Sequence, residues 1–183
     1  VMARYPELGK TKTRLARSIG NEHTLQLYTA FLSDLAQRFA GHSYDLHWAY
    51  TPTEVDYQAF ITTLAPQHAE RMWSFPQQGP DLGVRLHHAF HWTRDRGYKK
   101  TVLIGSDSPQ VSVALIDRAR AALEEADVVL GPADDGGYYL IAMSHPYDVF
   151  SDIPMSTPVV AQMTIATAER QGLHTHIIDT LFD

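Results

Sequence analysis

The sequence predicts an α/β fold, a three-layer α/β/α sandwich with a mostly parallel central sheet, and two observations predict it. Short apolar runs alternate with longer stretches of helical periodicity along the whole chain, the rhythm of strand–helix–strand units. The most uniform of those runs, TVLIG at 101–105, lacks polar alternation, as a strand buried on both faces must.

The elements follow in order. From about Arg14 to Phe39, apolar residues recur at helical spacing with an interruption near Gly20: Leu15, Ile19, Leu25, Leu27, Tyr28, Phe31, Leu32 and Leu35. Two consecutive helices are expected there. Asp45 to Tyr50 reads as a strand, Glu54 to Leu64 as a short helix before Pro66, and Arg71 to Phe75 as the next strand. The loop QQGPDLG at 77–83 feeds a helix running to about Gly97. TVLIG is then a strand, Val113 to Glu125 a helix, and ADVVLG and YYLIAM two further strands. A helix from about Pro158 to Gln171 ends at Gly172, and HTHIID supplies the last strand. The chain opens only a few residues before a Pro/Gly loop and stops at Leu181-Phe182-Asp183. The first strand is therefore expected to be largely missing, and the domain trimmed at both ends.

Composition narrows the class. A chain of 183 residues with 44% hydrophobic content suffices for one substantial core and is short for two, so residues 1–183 are expected to form a single domain. A net charge of -6 argues against broad nucleic-acid binding, which needs Lys and Arg on phosphates. The absence of cysteine excludes disulfides, thiolate metal sites and cysteine nucleophiles. No apolar run approaches the roughly 20 residues that span a bilayer, so the expectation is a cytoplasmic protein with no membrane partner. Homo-oligomers stay open.

Ligands of such sheets sit beyond the carboxyl ends of the strands, which directs attention to four segments. In YPELGKTKTRLA, from Tyr5 to Ala16, Lys10, Lys12 and Arg14 alternate with threonines. In an extended loop three cations would face one side, with the next helix's N-terminus behind them. A phosphate site is one reading, and a solvated basic loop is the other. A Walker A loop is excluded, since Arg4 stands where its first glycine belongs. In GSDSP, Asp107 follows TVLIG. A carboxylate at a buried strand's tip suits a hard cation such as magnesium; alternatively Asp107 or Ser108 caps the helix after Pro109. No serine-hydrolase elbow is formed around Ser106.

In GPADDGGYYL, Asp134 and Asp135 precede Gly136 and Gly137. Asp-Gly before an apolar run predicts a hairpin turn, one whose glycines admit close backbone approach and whose acids can serve as a general base. In the terminal IIDTLFD, Asp179 again follows a strand and is either a second metal acid or an exposed turn residue. His87 and His91 have the spacing of a zinc pair, but HExxH is absent and no third ligand is evident, so a solvated helix face is expected.

Together PELGKTKTRLA, PDLGVRL, LIGSDSP, LGPADDGGYYLI, MSTPVV and DTLFD resemble, in order and spacing, the GT-A-type (Rossmann-like) nucleotide-diphospho-sugar transferase superfamily. The resemblance is to its bacterial branch of arsenosugar-biosynthesis-type or radical-SAM-associated glycosyltransferases. The run at 12–15 is also similar to one in phospholactate guanylyltransferase-type nucleotidylyltransferases.

The resemblance implies that Gly9, Lys12 and Arg14 hold nucleotide phosphates and that Gln78, Gly79, Asp81 and Gly83, with Leu82 among them, recognise the nucleoside. Asp107 and Asp179 would bind Mg2+ or Mn2+, and Asp135 with Gly136 and Gly137 would meet the small-molecule acceptor. Two positions depart from the branch: Met155 stands for its usual tryptophan and Ala142 for a common glycine. The reaction so implied is metal-assisted glycosyl transfer from a nucleotide-diphosphate sugar, with Asp135 or Asp134 taking the acceptor's proton. The alternatives are nucleotidyl transfer with release of pyrophosphate, a non-catalytic nucleotide-binding module, and, disfavoured without a nucleophile elbow, a hydrolase.

Overall fold

The computed structural model describes residues 1–182. The architecture is α/β with mostly parallel pairing, and the chain gathers into two compact units, residues 1–77 with 105–109 and residues 78–104 with 110 onward.

The first unit carries the parallel sheet β1 (Met2–Arg4), β2 (Leu46–Thr51) and β3 (Met72–Pro76) in that order. A three-residue β1 thus stands at the start of the described chain. Helices α1 (Thr13–Ile19) and α2 (Asn21–Phe39) divide at Gly20, where the apolar periodicity breaks. Along α2 the buried residues Tyr28, Leu32, Leu35, Ala36 and Phe39 form the i, i+4, i+7 stripe that a helix needs to cover a core.

The apolar residues of α1 behave otherwise: Leu15 and Ile19 are exposed and α1 buries nothing. Their spacing indicated a helix correctly but not a core face. Helix α3 (Tyr57–Leu64) begins three residues after the expected Glu54, because the Asp56 carboxylate accepts the Ala59 N–H at 2.9 Å and caps it. A 3-10 turn at Pro66–Arg71, absent from the sequence reading, leads into β3. Past β4, Gly105 makes a parallel bridge to Met2 and the Ser106 N–H donates to the Met2 carbonyl at 3.1 Å. The segment 105–109 therefore runs beside β1 and brings Asp107 to its carboxyl end.

The second unit holds α4 (Leu82–Asp95), β4 (Thr101–Ile104), α5 (Val113–Ala122), β5 (Val128–Pro132), β6 (Tyr138–Met143), α6 (Val160–Arg170) and β7 (Thr175–Ile177). Its sheet runs β4-β6-β5-β7, with β5 parallel to β7 and β6 antiparallel to both of its neighbours. The antiparallel strand is the hairpin return that Asp-Gly predicts. Val128, Val129 and Leu130 are each at most 1% exposed, so both faces of β5 are covered, by α5 and α6. This strand is buried more completely than TVLIG, whose Thr101 and Val102 are only half-buried. No described helix is long and apolar enough to cross a membrane.

Candidate functional site

In the first unit, the loop from Tyr5 to Lys12 is folded back on itself. The Glu7 carbonyl accepts the N–H groups of Lys10 and Thr11 at 3.1 and 3.2 Å, and the buried Thr11 hydroxyl accepts the Glu7 N–H at 2.8 Å. Gly9, at φ +74°, supplies the left-handed turn. The extended alternation expected of Lys10, Lys12 and Arg14 is lost, because the chain satisfies its own backbone groups by turning. Lys10 pairs with Glu7 at 2.7 Å in solvent, and Arg14 stands exposed in the first turn of α1. Lys12, itself left-handed at φ 48° just before α1, sends its ammonium to the Asp107 carboxylate.

Asp107 is half-exposed, one oxygen (Oδ2) on Lys12 and the other (Oδ1) 3.2 Å from the Ser106 hydroxyl. It caps no helix. The cap of α5 is Ser112, whose hydroxyl accepts the Leu115 N–H at 3.3 Å, so the capping alternative for Asp107 and Ser108 falls away. Behind Ser106 lies Tyr28 of α2, its hydroxyl 2.9 Å from the serine oxygen and tied to Arg4, whose N–H it accepts at 3.0 Å and whose carbonyl it reaches at 3.1 Å. Burial pushes the Tyr28 hydroxyl above its ordinary pKa, against its hydrogen bonds to Ser106 and Arg4, with the nearby Asp107 charge acting in the same direction as burial.

In the second unit, Gln78 and Gly79 are exposed and Asp81 caps α4, accepting the Val84 N–H at 3.0 Å. Such a cap contributes about 1 kcal/mol. Gly79 has no room for a side chain: at φ +126° a Cβ would lie 2.5 Å from Val84 Cγ1. At Gly83 a Cβ would meet the Met155 methyl at 3.2 Å, so Met155 occupies the space this glycine leaves.

The hairpin loop is closed by its own bonds. The Asp135 carboxylate accepts the Gly137 N–H at 2.8 Å, the Asp134 N–H donates to the Leu181 carbonyl at 3.1 Å, and the Gly136 carbonyl accepts the Ala161 N–H at 3.0 Å. Gly136 sits at φ +89° with the Pro158 carbonyl oxygen where a Cβ would be. Packing within the chain thus accounts for this glycine.

Asp179 follows β7 and is exposed, both carboxylate oxygens taken by the Arg118 guanidinium of α5, while its backbone carbonyl accepts the Tyr139 hydroxyl at 2.8 Å. The hydrogen bond from Arg118 holds the Asp179 carboxyl below the usual aspartate range. A group depressed in the folded state stabilises the fold above its unfolded pKa and loses that contribution as pH falls through the folded value. An Arg118→Gln variant is expected to return Asp179 to the ordinary range in a carboxyl NMR titration; an unchanged midpoint would remove Arg118 as the cause. The last letter of the terminal motif, Asp183, lies outside the described residues.

Among the described residues no three His, Asp or Glu side chains gather into a metal-binding group. An ion here would have few protein ligands, which suits Mg2+ or Mn2+, cations that keep waters and take one or two carboxylates with substrate phosphates. Asp107 fits that demand, with an oxygen already facing a cation. Asp179 fits only when the guanidinium leaves. His87 and His91 share a 3.2 Å contact between their Nε2 atoms on α4. The sequence pattern assigns Tyr28, Ser106, Arg118 and Tyr139 to a helix stripe, a loop, a helix and a strand but to no site, because the bonds Tyr28–Ser106, Arg118–Asp179 and Tyr139–Asp179 join distant positions of the chain.

A family model described as "Uncharacterized protein conserved in bacteria (DUF2064)" matches residues 33–157. No curated protein matches. Among solved structures, the chain is similar to a protein of Desulfovibrio desulfuricans G20 provisionally named a nucleotide-diphospho-sugar transferase. The two share 38% identity with a TM-score of 0.88, over 100% of this chain and 79% of that one. It is also similar in fold to CMP:2-keto-3-deoxy-manno-octonic acid synthetase complexed with CTP, at 11% identity and a TM-score of 0.54, over 100% of this chain and 88% of that one.

Proposed function

This chain belongs to the bacterial family DUF2064, and from that premise we propose that it is a metal-dependent transferase that binds a nucleotide-diphosphate sugar and passes the glycosyl group to a small acceptor. One observation carries the reading: Lys12 and Asp107 stand paired at the carboxyl end of a parallel strand, half-exposed. A metal diphosphate presents a cation and anions side by side, and this pair presents their complement. The name of the 38%-identical relative supports the same substrate class.

Asp107 would hold the ion in the first unit, and Asp179 is assigned as a metal-binding acid of the second. A divalent ion so held neutralises charge on a departing diphosphate. Lys12, released from Asp107, turns to phosphate oxygens, and Arg14, exposed in the next turn, adds a bidentate donor. In the second unit the turn at Asp134–Gly137, its two acids exposed, is assigned to the acceptor, with Asp135 or Asp134 accepting its hydroxyl proton. Gln78, Gly79, Asp81 and Gly83 are assigned to the nucleoside. Within the superfamily, the chain is assigned to the branch of arsenosugar-biosynthesis-type or radical-SAM-associated glycosyltransferases.

The test is a melting panel of nucleotides and nucleotide sugars with and without Mg2+ or Mn2+. A ligand at 100 times its dissociation constant adds about 2.7 kcal/mol, roughly 5–11 °C for a chain of this size. The expected result is a shift that requires metal and nucleotide sugar together, with release of a nucleoside diphosphate on turnover. Release of pyrophosphate from a nucleoside triphosphate would replace glycosyl by nucleotidyl transfer. No shift with any ligand would overturn nucleotide binding itself.

A further inference from the structure

We propose that Tyr28 and Ser106 are positioning residues for Asp107: a hydroxyl relay anchored on the end of β1 holds one carboxylate oxygen and leaves the other to a cation. The proposal rests on the reading of Asp107 as the acid that binds the metal nucleotide. Tyr28 and Ser106 are only 3% and 5% exposed, and hydroxyls so buried are costly unless bonded. The Tyr28 hydroxyl answers both backbone groups of Arg4. Its continuation through Ser106 to Asp107 needs another reason.

Counting protons supplies it. The Arg4 N–H donates to Tyr28, which leaves two hydroxyl protons for three sites: the Arg4 carbonyl, the contact between the two hydroxyls, and Asp107 Oδ1. A hydrogen bond to a carboxylate is about twice as strong as one between neutral groups. The Ser106 proton therefore goes to Asp107, and Tyr28 can donate to Ser106, its proton shared with the Arg4 carbonyl. With Oδ1 held from this side, rotation of the carboxylate is restricted, and Oδ2 is the atom left facing the Lys12 ammonium. A metal ion replacing that ammonium meets an oxygen already aimed.

The test measures Mn2+ binding by electron paramagnetic resonance in the presence of UDP, GDP, CDP or ADP, beside nucleotide binding without metal. Outer groups that orient a metal ligand typically contribute 10- to 100-fold in affinity. Ser106→Ala is expected to weaken Mn2+ binding about 10-fold or more and Tyr28→Phe by about 3-fold or more, with metal-free nucleotide affinity unchanged. The double variant should fall no further than Ser106→Ala alone, since both residues act through one bond to Asp107. Lower melting temperatures with unchanged Mn2+ affinity would make Tyr28 and Ser106 structural only and overturn the proposal. So would an equal loss of metal-free binding. Asp107→Asn separates the two levels: full Mn2+ binding in that variant sinks the site reading itself, whereas loss there with none in Tyr28→Phe or Ser106→Ala sinks the relay alone.

Discussion

Replacing Asp107 with asparagine is expected to lower the affinity for a Mn2+–nucleotide complex by more than about 100-fold. Removing an outer-shell partner costs 10- to 100-fold, and a direct anionic ligand stands above that range. The substitution is nearly isosteric and keeps an oxygen for the Ser106 hydroxyl. It removes the charge that a hard cation requires. Lys12 is then left without its carboxylate, so nucleotide binding without metal should hold or tighten. The pair lies half in solvent, where ion pairs contribute 0–1 kcal/mol, so the melting temperature should hardly move. Calorimetric titration with and without Mn2+ checks all three statements. A variant that keeps the whole metal-dependent gain would end the assignment.

Gly136→Ala is expected to be the most destabilising small substitution in the hairpin. Its Cβ would lie 1.9 Å from the Pro158 carbonyl oxygen and 2.5 Å from the carbonyl carbon, backbone atoms that no rotamer change can move aside. The residue also sits at φ +89°, a conformation that costs a side chain roughly 1–2 kcal/mol. With the hydrogen bond from Ala161 to Gly136 displaced as well, the loss should reach about 3 kcal/mol or more, a fall of roughly 6–12 °C in Tm. Gly172→Ala is the control, since Gly172 has a similar φ of +74° but nothing within 4 Å of its Cβ position. Equal losses in the two variants would show that backbone conformation, not the Pro158 contact, dictates Gly136.

The local elements were largely legible. YYLIAM is β6 from first residue to last, and the break at Gly20 falls where α1 meets α2. Errors arose where one side chain overrode the pattern, as when the Asp56 cap moved the start of α3, or where an apolar pattern met no partner, as at Leu15 and Ile19. In the candidate site, Lys12, Asp107 and Asp179 were legible as residues worth inspecting. The roles of Gly79 and Gly136 were not, because the atoms that exclude their side chains belong to Val84 and Pro158. Only folding brings those atoms near.

By itself, the sequence determined the order and type of most elements, the hairpin turn and the position of an acid after the strand at Thr101–Ile104. These depend on backbone hydrogen bonds and side-chain periods spanning a few residues. The tertiary structure alone decided what each acid faces. Asp107 meets Lys12 from 95 positions away and, through Ser106, a tyrosine 78 residues distant from that serine, while Asp179 meets an arginine 61 residues away. Charge and hydrogen bonding act over a few ångströms of space, and no spacing along the chain records which distant group will fill them.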